Sequence, residues 1–121
     1  MSKNNKVLVL SEDDSRLRDM VTILEFIGEE RILAGDEARA LLSSGDEESL
    51  SDIAVAVVNG EDAGVTETIT TVCNAVKGVP LLLVGHPELS GLSEDAGARI
   101  IARMEWPLNY TKFVDSLYRA Q

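Results

Sequence analysis

The chain leaves an apolar run at four points, Ser11-Glu12-Asp13-Asp14, Asn59-Gly60-Glu61-Asp62, Gly85-His86 and Trp106-Pro107, and the first three carry side chains able to hold a cation or move a proton. Adjacent carboxylates offer the hard oxygen ligands that Mg²⁺ takes, so Asp13 and Asp14 with Glu61 and Asp62 form a candidate weak cation site. The same acids have a structural use, which is preferred. Asp13 and Asp14 open a helical pattern, where negative charge suits the positive end of the helix dipole, and Ser11 with Asp14 has capping-box spacing. His86 is the only histidine and has no serine or cysteine at a triad-like spacing, so it reads as a solvent-facing loop residue. Cys73, the one cysteine, lies on an apolar stripe with Ile69, Val72 and Val76, as a packed hydrophobe would. The glycines at 60, 64, 85, 91 and 97 assemble into no phosphate-binding loop, which argues against nucleotide binding.

Those four points need a scaffold, and the apolar pattern supplies one. Val7–Leu10 is a continuous run, as in a strand buried on both faces. Leu17, Met20, Val21, Leu24 and Ile27 then follow at helical spacing, and Gly28 is placed to end that helix. A weaker strand is expected at Arg31–Ala34 and a short helix through Ala38, Leu41 and Leu42, with residues 43–51 as a polar loop. Further strands are expected at Ile53–Val58, Val79–Val84 and within Ile100–Glu105. Helices are expected on the stripes Val65-Ile69-Val72-Cys73-Val76 and Tyr110-Phe113-Val114-Leu117. Gly85–Ala98 is rich in Gly, Pro and Ser, so a helix there should be short or irregular. Alternating strands and helices predict an α/β fold: one domain, residues 1–121, with a five-stranded parallel sheet covered by helices on both faces. The flavodoxin-like strand order is the commonest for this length, and ligands then bind beyond the carboxyl ends of the strands.

Composition narrows the function classes. With 45% hydrophobic and 26% charged residues among 121, the chain can bury a core and is not a disordered tail. A net charge of -10 repels nucleic-acid phosphate and anionic lipid, so direct DNA or membrane binding is not expected. The apolar runs are too short to span a bilayer, no signal peptide is written, and one cysteine suits a reducing compartment. A cytoplasmic protein is expected.

Over nearly its whole length the chain resembles a response-regulator receiver domain. KVLVL, then SEDD, then SRLRDMVTILEFIG give the strand, acidic turn and helix with which a receiver begins. The resemblance implies the flavodoxin-like, CheY-like receiver fold and five functional positions at strand ends. Two acids after the first strand hold Mg²⁺, and an Asp ending the third accepts the phosphoryl group. A Ser or Thr after the fourth and a Lys before a Pro after the fifth bind its oxygens. Counted back from Gly28, the acid pair falls on Ser11 and Glu12. The acceptor falls on Asn59, or on Val58 in a register one residue shorter, the hydroxyl on Gly85 and the lysine on Trp106. Four of the five have departed from the pattern, and neither Asn59 nor Val58 has a carboxylate to form an acyl phosphate. The resemblance thus implies a degenerate phosphorylation pocket of Ser11, Glu12, Asn59, Gly85 and Trp106, with no catalysis and no cofactor. Trp106 either plugs the vacated pocket or serves as an interface anchor, and a cis bond is implied at Pro107.

Two stretches, ILEFIGEE (Ile23–Glu30) and MEWPLNYTKFVDSLYRAQ (Met104–Gln121), are similar to the amino-terminal domain of flagellar master regulators of the FleQ/FlrA type. These are NtrC-class activators of sigma-54-dependent transcription. The resemblance implies a parent protein in which an AAA+ ATPase domain and a helix-turn-helix domain follow, neither lying within residues 1–121. It implies a non-phosphorylatable regulatory domain that pairs as a homodimer or packs on the AAA+ domain. The contact face expected lies near Arg99, Arg103, Tyr110 and Tyr118. A stand-alone docking module in two-component or motility signalling is the alternative, and an enzyme of flavodoxin-like architecture a remoter one.

Overall fold

The computed structural model describes residues 6–28, 31–44, 50–61, 63–76, 78–85, 94–106 and 110–120, with the backbone alone for residues 95, 110 and 120. Five parallel strands are β1 (Lys6–Leu10), β2 (Ile32–Ala34), β3 (Ile53–Asn59), β4 (Leu81–Val84) and β5 (Ile100–Met104), in the order β2-β1-β3-β4-β5. The helices between and after them are α1 (Asp14–Phe26), α2 (Asp36–Ser44), α3 (Val65–Ala75), α4 (Glu94–Ala98) and α5 (Tyr110–Ala120). This is the flavodoxin-like order that the alternation predicts and that the receiver resemblance implies.

Strand residues point alternately to two cores, which is why the central strands are apolar at every position except Lys6 and Asn59 at their ends. Leu8, Leu10, Ala56, Val58, Leu81 and Leu83 pack with Ile69, Val72 and Cys73 of α3. Val7, Val9, Val55, Val57, Leu82 and Val84 pack on the opposite face with Met20 and Leu24 of α1 and Phe113 and Leu117 of α5. The edge strand β5 is less covered. Its register with β4 skips Ile101, which is 41% exposed.

Three local features differ from expectation. Asp13, not Ser11, is the N-cap of α1: its side chain accepts from the backbone N–H of Ser15 and Arg16 at 2.9 and 3.2 Å. Ser11 is drawn elsewhere, as described below. Asp13→Ala should therefore cost about 1 kcal/mol in a denaturant titration, the usual value of a lost cap. Ser43 and Ser44, expected in a loop, still belong to α2, where Ser44 Oγ donates to the Leu41 carbonyl at 2.9 Å. β4 begins two residues later than expected. Pro80 has no N–H to give a ladder, and its carbonyl accepts from Ala56 N. The end of α1 follows the sequence: Gly28 takes φ +94°, and its N–H donates to the Glu25 carbonyl.

Candidate functional site

The carboxyl ends of β1, β3, β4 and β5 converge, and the residues leaving them meet. β1 pairs with β3 so that Leu10 lies opposite Val58, which sets Ser11 beside Asn59. Val58 points into the core packed on α3, whereas the Asn59 side chain points to the strand-end pocket. Asn59 is therefore the residue that occupies this end of β3.

Asn59 is 2% exposed, and its amide is bonded at both ends. Its Oδ1 accepts from Trp106 Nε1 at 3.2 Å and from the Glu61 backbone N–H at 3.1 Å. Its Nδ2 donates to Ser11 Oγ at 3.1 Å. The two donor-only partners fix which end of the amide is oxygen. Ser11, also buried, accepts in addition from Asp13 N at 3.0 Å and donates to the Asp13 carbonyl at 3.1 Å. One donation and two acceptances fill the capacity of a hydroxyl. The pocket floor is neutral and saturated.

Around this floor each remaining residue has a distinct task. The Glu12 carboxylate reaches across to accept from Gly64 N at 3.0 Å, at the start of α3. Arg39 Nη2 donates to the Ser11 carbonyl at 3.3 Å. Half-buried Trp106 packs against the α1–α5 core, and the Arg16 guanidinium lies 4.3 Å from its ring centroid. Arg16 Nη2 also stands 3.9 Å from Glu61 Oε1. Gly85 adopts φ +108°, and its N–H donates to the Met104 carbonyl.

Sequence reasoning placed Ser11, Glu12, Asn59, Gly85 and Trp106 at strand ends, and the fold gathers them at one end of the sheet. It missed Arg16. The signal was available only in part: Arg16 sits in the first turn of α1, on the side that overhangs the strand ends. The acids proposed as a cation site diverge instead, with Asp13 capping α1 and Glu61 turned to Arg16; Asp62 lies outside the described residues. Among the described residues, no group of three or more His, Cys, Asp or Glu is arranged to hold a metal ion. His86, Pro107 and Gly91 also lie outside the described residues.

The expected contact face needs one correction. Arg99 is half-buried rather than exposed, because its Nη1 donates to the Val76 carbonyl at 3.2 Å and so ties β5 to the end of α3. Arg103 is exposed, and Tyr118 is 68% exposed on α5. Tyr110 begins α5, with its side chain outside the described set. No helix among the described residues is long and apolar enough to cross a membrane.

Comparison with known proteins places this geometry. The family model of the flagellar regulatory protein FleQ matches residues 6–121. A receiver domain from Clostridium thermocellum superposes with a TM-score of 0.72 at 15% identity, over 95% of this chain and 92% of that one. A putative pilus assembly-related protein from Burkholderia pseudomallei gives 0.70 at 24% identity, over 99% and 91%. A CheY-like response regulator from Mesorhizobium loti gives 0.61 at 16% identity, over 98% and 100%. At these identities the structures testify to the fold.

Proposed function

The chain belongs to the family of the flagellar regulatory protein FleQ, and from that premise we propose that it is a receiver-like regulatory domain that works by protein contact without being phosphorylated. Its parent is a sigma-54-dependent activator of flagellar genes in the cytoplasm. The domain is no enzyme itself; it biases assembly of the AAA+ domain of the same chain. It pairs as a homodimer, and it leaves nucleic acid to other parts of the protein.

Support comes first from Asn59. The acyl phosphate of a receiver forms on an accessible carboxylate, and here a buried amide is bonded on both sides. Trp106 is consistent with this, since a neutral N–H donor facing a neutral oxygen needs no counter-charge, whereas a lysine in its place would be an unpaired cation. The remaining strand-end departure, Gly85, carries no hydroxyl. Exposed Ile101, Arg103 and Tyr118 offer an apolar and cationic contact on an otherwise acidic molecule.

Two measurements test the proposal. Intact mass after incubation with acetyl phosphate and Mg²⁺ should be unchanged, and a phospho-adduct would overturn the reading. In sedimentation equilibrium the wild type should be dimeric, and Arg103→Glu with Tyr118→Glu should weaken pairing about tenfold or more, as for loss of one strong interface anchor. A double variant that pairs as well as wild type moves the contact to another face.

A further inference from the structure

The Glu61 side chain takes no part in the pocket floor, yet it lies where a side chain at the end of β4 would otherwise stand. A β-carbon on Gly85 would lie 2.5 Å from Glu61 Cγ and 3.2 Å from its carboxyl carbon. So the missing side chain at Gly85 and the presence of Glu61 are one steric arrangement. Glu61 then faces Arg16, Arg16 covers Trp106, and Trp106 returns to Asn59, which also holds the Glu61 backbone N–H. The contacts close a ring through α1 and the ends of β3 and β5, beside Gly85 at the end of β4.

The lid of that ring is thin. Arg16 and Glu61 side chains are 37% and 46% exposed, and an ion pair at 3.9 Å in that setting contributes little by itself. Arg16 links the pair to Trp106, whose ring its guanidinium covers at 4.3 Å. Trp106 is separated by one residue from β5, the edge strand that carries the exposed Ile101 and Arg103.

We propose that Glu61 and Arg16 form an intramolecular clamp that seats Trp106 and so fixes the β5 edge in one conformation, with Gly85 retained as the space Glu61 requires. The inference rests on the reading of the domain as a regulator acting by contact, and it assigns the internal device that sets its contact face. Unseating the clamp frees β5 to change its presentation.

Trp106 is the only tryptophan, so its emission reports the clamp directly. Glu61→Ala and Arg16→Ala should each shift that emission to the red and speed amide exchange over Ile100–Trp106 by about fivefold or more, as expected for local opening. Glu67→Ala, an exposed acid on α3 outside the ring, should do neither. Unchanged emission and exchange in Glu61→Ala would overturn the proposal. A double-mutant cycle gives a second test. Gly85→Ala should lower the folding equilibrium constant about fivefold less in the Glu61→Ala background than in wild type, although strain at φ +108° remains in both. Equal effects in the two backgrounds would show that Glu61 does not set the requirement for glycine. Sedimentation separates this from the parent reading. A monomeric wild type with a responsive Trp106 removes the pairing but keeps the clamp, whereas a dimer with an unresponsive Trp106 does the reverse.

Discussion

Asn59→Ala should lower stability by about 2–4 kcal/mol, well beyond the loss of one ordinary hydrogen bond. The reason is that truncation strands three groups at once: Trp106 Nε1, the Glu61 N–H and one lone pair of Ser11 Oγ. Asn59 is 2% exposed and its bond to Ser11 is buried, while those to Trp106 and Glu61 are part-buried, so much of the desolvation of these groups is left uncompensated. Denaturant unfolding followed by Trp106 emission would measure it, and a loss below that of the Asp13 cap variant would contradict the saturated-floor geometry. Asn59→Asp is the sharper companion. It restores a carboxylate at the end of β3, but that carboxylate would face Ser11 Oγ, whose only proton is already given to the Asp13 carbonyl. With Trp106 and Gly85 unchanged, the variant should be destabilised and still take no phosphoryl group from acetyl phosphate. A stable phospho-adduct on it would show that a carboxylate at residue 59 is enough for phosphoryl transfer.

Phe113→Ala should be the most damaging single truncation, at about 3–5 kcal/mol, against a total of about 5–15 kcal/mol for a domain of ordinary stability. Phe113 is 0% exposed and is among the largest fully buried side chains, packed in the cluster with Leu82, Val84 and Met104. It and Leu117 are the buried apolar residues by which α5 is held to β4 and β5. Loss of a cooperative transition by circular dichroism, or a midpoint close to zero denaturant, is the expected result. Tyr118→Ala, one turn further and 68% exposed, should change stability by no more than about 0.5 kcal/mol. The pair of variants separates folding from contact, since any effect of Tyr118→Ala on pairing cannot then arise from unfolding.

How much was legible varies with what each residue depends on. Val7–Leu10 and Ile53–Val58 announced themselves because a strand buried on both faces must be apolar throughout, and that constraint is written residue by residue. The same holds for the stripe of α3, whose spacing alone puts Cys73 in the core. The cap of α1 was one step removed. Ser11 and Asp13 both suit the position, and the choice fell to Asp13 because Ser11 is held by Asn59, 48 residues away. Arg99 differs for a related reason: the resemblance implies an exposed position, but a carbonyl at the end of α3 lies within reach of its guanidinium.

By itself, then, the sequence determined the class of fold, the order of its elements, which residues would stand at the strand ends, and that no carboxylate would end β3. These follow from local periodicity and residue chemistry, which need no partner to be read. Only the tertiary structure decided that Asn59 rather than Val58 turns to the pocket, that Trp106 donates into it, and that Arg16, Glu61 and Gly85 close over it. Those outcomes depend on strand register and on contacts between loops distant in sequence. A change of one residue in register exchanges the two faces of a strand, and no local pattern records which side chain will fill the space a glycine leaves.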